Sequence, residues 1–473
     1  MHRAVAAFVV FAATALVGCA APAPAIVPPS PPLSSTCPAG HPFGTERQRA
    51  ERQHRWLEER LTTIVPAEMR ARGVDMWIVD MREYAEDPVF RALVAPETFA
   101  ARRRSLFVFF DPGGGRPAER FSLGGGSQGG LYTVLPSTRR TAEGRVAELG
   151  GSAEQWTALR ALVEARHPAR IAIDTSPTFP LADGLTASEA TVLREALGPE
   201  LSARLVPAED LAVGVLKTRL ADETAVFQEL NAITWKLYEQ AFSRAVITPG
   251  TTRTSDVVWW LRDQLAPCGL TTWFQPTVDV QRRGASEAEL GDDPVIERGD
   301  VLHGDFGVTA LGLNTDTQHE GYVLREGESD APPGLRAALA GSNALQDIVL
   351  SELTAGASAK ASGNEVLAGA RARMTSLRPE PLEGTIYSHP IGLHGHAAGP
   401  LIGMWDLQDG VPGRGDARIT PRMWFAVELQ ATRAVPEWNG QRLRSGQEED
   451  AVVDERGVAR WAYRRQAAFH LVR

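Results

Sequence analysis

The stretch Arg298-Gly-Asp-Val-Leu-His-Gly-Asp305-Phe-Gly-Val-Thr-Ala-Leu-Gly-Leu-Asn-Thr-Asp316-Thr restricts what this chain can fold into more than any other. Its apolar-flanked runs Val301–Val308 and Asp316–Leu324 predict two strands, and Leu311-Gly312-Leu313-Asn314 supplies the turn that makes them a hairpin. Asp305 and Asp316 then lie on neighbouring strands among apolar side chains. A buried carboxylate is costly without a positive partner, and two side by side repel. A divalent cation bridging the pair removes both costs. The same letters also suit two solvated aspartates on an exposed hairpin, so residues elsewhere must decide.

Downstream, Ser388-His389-Pro390-Ile391-Gly392-Leu393-His394-Gly395-His396 carries three histidines in a short span. Glu428 closes the apolar run Met423-Trp424-Phe425-Ala426-Val427, and Glu449-Asp450 precedes the strand-like Ala451-Val452-Val453. Asp, Asp, His, Glu and Glu, each beside a short strand signal, fit a site fed by several strands of one sheet. Four carboxylates and one imidazole form a hard, oxygen-rich ligand set that suits Mn²⁺, Co²⁺, Fe²⁺ or Zn²⁺. Two divalent ions balance four carboxylate charges, which one ion does not.

These residues, with His389 in a His-x-Ile-Gly-Leu context, His396 beyond it and Glu449 in Glu-Asp-x-Val-Val, make the chain from about Lys217 onward resemble the M24 metallopeptidases. This is the pita-bread family of methionine aminopeptidase, aminopeptidase P, prolidase and the metal-free creatinase. Ile247-Thr-Pro-Gly-Thr-Thr252 resembles the family's turn into its second catalytic-domain helix. The resemblance implies an α/β (α+β) architecture, with a C-terminal pita-bread domain preceded by a smaller creatinase/prolidase-like α/β N-terminal domain. It also implies two divalent ions, Mn²⁺ foremost, with Asp305 chelating one, Asp316 and Glu449 bridging, and His389 and Glu428 completing the second. His396 would hydrogen-bond the substrate carbonyl or oxyanion, Glu428 would pass the proton to the leaving amine, and His394 would contact the peptide. The implied reaction is removal of the residue before a proline. Two other classes compete: a catalytically silent protein that holds a peptide or partner in the cleft, and a metal-dependent hydrolase of a non-peptide bond.

The pattern departs from the family at two places. Many relatives carry a further histidine ahead of the first aspartate strand, but Trp273-Phe-Gln-Pro-Thr-Val-Asp-Val-Gln-Arg-Arg283 has none, leaving Gln281 or Arg282 as the substrate-binding donor. Glu428 is followed by Leu429-Gln430 in place of the usual Pro-Gly. His303 shares a strand face with Asp305 by even spacing, and both it and His319 read as core or rim histidines, with a supporting role behind the ligands open for His303.

The rest of the chain frames this site. Arg3 and the apolar run Ala4–Val17, ending in Leu16-Val17-Gly18-Cys19, predict a lipoprotein signal (residues 1–19) with Cys19 lipidated. Residues 20–44 are a Pro/Ala/Ser-rich tether; the resemblance of Leu16–Cys19 to a bacterial lipobox, followed by Ala20, implies a lipid-anchored protein of the cell envelope on the periplasmic side of an outer membrane. Helical spacing over Thr45–Arg72, with a break at Pro66, and strand signals at Val74–Val79, Ser105–Phe110, Arg120–Leu123 and Ile171–Asp174 predict an α/β domain over residues 45–212. Val213–Thr218 then crosses to a catalytic domain over residues 213–473, which opens on a helix over Leu220–Val246 and a second, N-capped by Ser255. A net charge of −9 over 473 residues offers nothing to nucleic acid. Of three cysteines, Cys268 reads as a lone thiol, with a bridge to Cys37 left open. The residues leave the oligomeric state open, a homodimer included.

Overall fold

Buried apolar runs alternating with helices build two large sheets in the computed structural model, which describes residues 42–135, 139–140, 146–147, 153–377 and 383–473. The expected lipidation site Cys19, most of the tether and Cys37 lie outside the described residues. No described helix is long and apolar enough to cross a membrane.

The N-terminal sheet runs Thr133–Val134, Glu119–Leu123, Arg104–Phe110, Met76–Arg82, Ile171–Ile173 and Leu205–Pro207. Its central strands are apolar without alternation because both faces are covered. The expected break at Pro66 does not occur. Helix Glu46–Glu59 passes through a π turn, Arg60–Ile64, into helix Val65–Ala71. The wider turn puts Pro66 in the first turn of the next segment, where its missing N–H is an orphan in any case. The expected crossing at Val213–Thr218 is mostly the end of a helix, Glu209–Lys217, with Leu211–Leu216 buried. One apolar core joins Trp56, Leu57 and Leu93 of the N-terminal segment to Val226, Phe227 and Leu230 beyond it. A buried Arg60–Glu223 ion pair crosses the same junction.

The C-terminal sheet runs Gly384–Ile386, Met423–Ala434, Arg442–Val453, Gln318–Val323, Val301–Asp305 and Thr277–Gln281. Helix Pro333–Ala359 lays Leu345, Ile348 and Val349 on Phe425, Val427 and Ala451. Helix Ala221–Ala241 ends short of Val246 and stacks Phe227 on Trp424 at 4.0 Å. Helix Thr254–Asp263 is capped by Asp293, whose Oδ1 accepts from Ser255 N–H at 3.0 Å, and not by Ser255 itself. Cys268 is buried and disulfide-bonded rather than a lone thiol.

Candidate metal centre

Register sets the site. Antiparallel pairing places Asp305 opposite Gln318, Gln318 opposite Glu448 and Glu448 opposite Glu428. Opposed residues present their side chains on one face, so four polar groups form a row across four strands. His389 joins from the short strand His389–Pro390, opposite Ala426, two residues before Glu428 on the same strand face. Asp316 precedes Gln318 by two residues and is held by its own N–H, which donates to Asp450 Oδ2 at 3.1 Å.

Three groups of side chains bring ligand atoms within 4.8 Å of one another: Asp305, Asp316 and Glu448; His389, Glu428 and Glu448; and Asp316, His389 and His396. His389 Nδ1 lies 3.0 Å from Pro390 O, an acceptor, so Nδ1 carries the proton and Nε2 presents its lone pair. That nitrogen faces Glu448 Oε1 at 3.4 Å, Asp316 Oδ2 at 3.6 Å and Glu428 Oε2 at 4.0 Å. Asp305 Oδ1, Asp316 Oδ1, His389 Nε2 and Glu448 Oε1 are buried with no hydrogen-bond partner among the described residues. Lone pairs converge on lone pairs here, an arrangement that a cation between them stabilises. The donors are carboxylate oxygens and one imidazole, so they fit divalent ions of the Mn²⁺ to Zn²⁺ series.

Electrostatics agree. Burial pushes the Glu428 carboxyl up to about 8 despite the opposing Gln318 amide, and Asp305 up to about 6 despite His303. Asp316 and Glu448 rise further, by burial first and then by the charge of their acidic neighbours. A bound cation inverts this and favours the ionised forms.

The structure brings together Asp305, Asp316, His389, Glu428 and His396, and leaves out four expected residues. Glu449 points to the other side of its strand, where Gln466 N–H donates to its Oε1 at 2.8 Å and His319 Nε2 stands 3.2 Å away. Glu448 takes its place. Strand parity decides this: a one-residue step changes the face, and Glu448 is the residue opposite Glu428. Gln281 pairs with Val301, at the far end of the strand whose Thr277 meets Asp305, about 13 Å along the ladder. Its amide bonds the backbone of Arg444, and Arg282 makes a bidentate pair with Asp300. His394 lies beside Arg219 and in none of the three groups; burial, then the Arg219 charge, lower it to about 4.

His396 is exposed, its ring 4.6 Å from that of His389 and 5.3 Å from Trp273. Tyr387 and Trp405 continue an aromatic wall beside it, with ring centroids 5.7 Å apart. Arg414 adds a cation there: its Nη2 donates to Ala397 O at 3.1 Å and its Nε has no partner. Sequence reasoning missed Gln318, Arg414 and this wall. Only Gln318 carried a signal, its even spacing from Asp316.

Residues 227–455 match metallopeptidase family M24. This part of the chain belongs to that family. The M24 domain and its N-terminal partner together share their fold with an X-Pro aminopeptidase from Thermotoga maritima MSB8 (TM-score 0.56, 17% identity, 86% of this chain and 100% of that one). They share it equally with an Xaa-Pro dipeptidase from Bacillus anthracis (TM-score 0.53, 17% identity, 89% and 100%). The N-terminal domain of FACT complex subunit SPT16 from chickpea is as similar in shape (TM-score 0.57, 11% identity, 89% and 99%). No curated protein matches the chain by sequence. The fold is therefore the pita-bread fold with an added N-terminal domain, and it does not by itself fix an activity.

Proposed function

We propose that this chain is a metal-dependent peptidase acting on short peptides, and that it removes an N-terminal residue preceding proline. The observation that carries the first part is the convergence of four unpartnered buried ligand atoms, from Asp305, Asp316, His389 and Glu448, inside the M24 match. The proline preference is supported only by the names of two proteins that share the fold.

Asp305, Asp316, His389, Glu428 and Glu448 would hold two divalent ions, with Mn²⁺ the first candidate. Such ions supply a Lewis acid for the peptide carbonyl and a water acidified toward neutrality. Glu428, with Oε2 directed at His389, would accept a proton and deliver it to the leaving amine. His396, at the exposed lip, donates to the carbonyl oxygen as charge develops there. Arg414 offers a cation for the carboxylate end of a short peptide. Tyr387 and Trp405 offer flat apolar surface to a ring such as proline.

Purified protein assayed with Mn²⁺, Co²⁺ or Zn²⁺ against paired X-Pro and X-Ala peptides tests both parts. Hydrolysis that EDTA abolishes and that favours X-Pro is expected; equal or faster X-Ala turnover removes the proline preference. Metal and peptide binding without hydrolysis would leave the silent binding protein. That second reading is favoured by Trp273, which packs against His396 in the segment where relatives carry a histidine.

We also propose that Cys19 is lipidated and anchors the chain to the envelope, on the strength of Leu16-Val17-Gly18-Cys19 closing a short apolar run. Cys19→Ser should shift the protein out of the membrane fraction; wild-type protein without lipid by mass spectrometry would end this idea.

A further inference from the structure

Gln318 occupies the centre of the row of ligands without being one. It sits between Asp305 and Glu448 in the register, is 6% exposed, and its Nε2 donates to both Glu428 Oε1 at 2.7 Å and Glu448 Oε2 at 3.0 Å. Its Oε1 meets His303 Nε2 at 3.0 Å. An amide oxygen only accepts, so His303 donates there. The reverse amide orientation would set Oε1 against two carboxylate oxygens, so chemistry fixes it as described. His303 is steered in turn by Asp279, whose carboxylate stands 3.7 Å from Nδ1. Gly446 leaves room for this contact: a Cβ there would lie 2.9 Å from His303 Nε2 and 3.5 Å from Gln318 Oε1.

We propose that Gln318, oriented by His303, is a positioning residue that fixes which oxygens Glu428 and Glu448 turn toward His389, and so sets how tightly the His389 side of the centre holds a divalent ion. By taking Glu428 Oε1 and Glu448 Oε2, one amide group leaves Glu428 Oε2 and Glu448 Oε1 as the atoms facing His389 Nε2. It also places two N–H dipoles between carboxylates that would otherwise repel. The inference rests on the metal-centre reading above and adds a residue to it that binds no ion itself.

The test uses the full chain and Co²⁺, followed by calorimetric titration and by the visible spectrum of the bound ion. Gln318→Leu should weaken binding at one of the two sites by about 10–100-fold and alter the Co²⁺ absorption, the usual scale for groups behind a ligand. His303→Phe and Gly446→Ala should move affinity and spectrum in the same direction by less, because they only release the amide. Melting of the metal-free variants separates lost stability from lost positioning: a lower melting temperature with wild-type affinity and spectrum overturns the proposal. Should Gln318→Leu not fold, Gly446→Ala decides in its place, and an unchanged affinity and spectrum there counts the same way. Wild-type protein that binds no divalent ion overturns the metal-centre reading itself. A wild type that binds two, with variants indistinguishable from it, overturns only the role of Gln318.

Discussion

Glu448 and Glu449 are neighbours on one strand, equally buried at 1% and 2% exposure, and they meet opposite fates. On the Glu449 side the carboxylate has a protein donor: Gln466 N–H donates to Glu449, and the Gln466 side chain ties together Glu320 and Gln447. On the Glu448 side, Oε1 and three further ligand atoms are left without partners. Burial and residue type are the same on both sides. What marks the functional side is that the chain leaves its acceptors facing one another, which is stable only with something positive among them.

The largest expected effect breaks this contrast directly. Glu448→Ala should lose bound metal and bring peptide hydrolysis to background, whereas Glu449→Ala should keep metal content and lose roughly 1–3 kcal/mol of stability through its stranded donors. Metal analysis and chemical denaturation of the pair decide it; metal loss in Glu449→Ala with a full site in Glu448→Ala would reverse the assignment. Next, Glu428→Gln keeps an oxygen for the ion but removes the base, so metal should remain while turnover falls by about 10²–10⁴-fold. His396→Ala should fall by about 10²–10³-fold, also with metal retained, while His389→Ala should empty the site. An intact rate in Glu428→Gln would move the proton transfer elsewhere.

The smallest effect is a pH slope. Asp305 and Glu428 are raised in the folded chain to about 6 and about 8. Folded values above the unfolded ones, about 4 for both, mean that the stability they contribute is present at low pH and lost as pH rises toward 8. Melting temperature in EDTA should therefore fall over that window, and saturating Mn²⁺ should flatten the fall, because ions take over from protons. Identical slopes with and without Mn²⁺ would contradict the arrangement.

How much of this the sequence carries depends on how local the cause is. Asp305, Asp316, His389 and Glu428 announce themselves because each lies within or beside a short strand signal and carries a ligand-type side chain. The choice between Glu448 and Glu449 is not local, since it turns on which residue of another strand stands opposite. Gln281 and Arg282 fail for the same reason: the segment Trp273–Arg283 precedes Asp305 in the chain, but only the register shows which of its residues meets the site. The helix cap supplied by Asp293 and the π turn ahead of Pro66 likewise depend on long-range placement and on a rare backbone form. Gln318 was visible as a same-face residue but has no charge to draw attention to it.

The family match begins at residue 227, which invites cutting the gene there to obtain a minimal enzyme. The buried Arg60–Glu223 pair and the core shared by Trp56, Leu57 and Phe227 argue against such a fragment. A cut between Arg60 and Glu223 would remove the cation that pairs with Glu223 and bare the apolar surface that Trp56, Leu57 and Leu93 cover. A cut at 227 would remove the first turns of the helix that stacks on Trp424, beside the strand carrying Glu428. Where homology starts and where cooperative folding starts are different positions in this chain, and expression trials should follow the second.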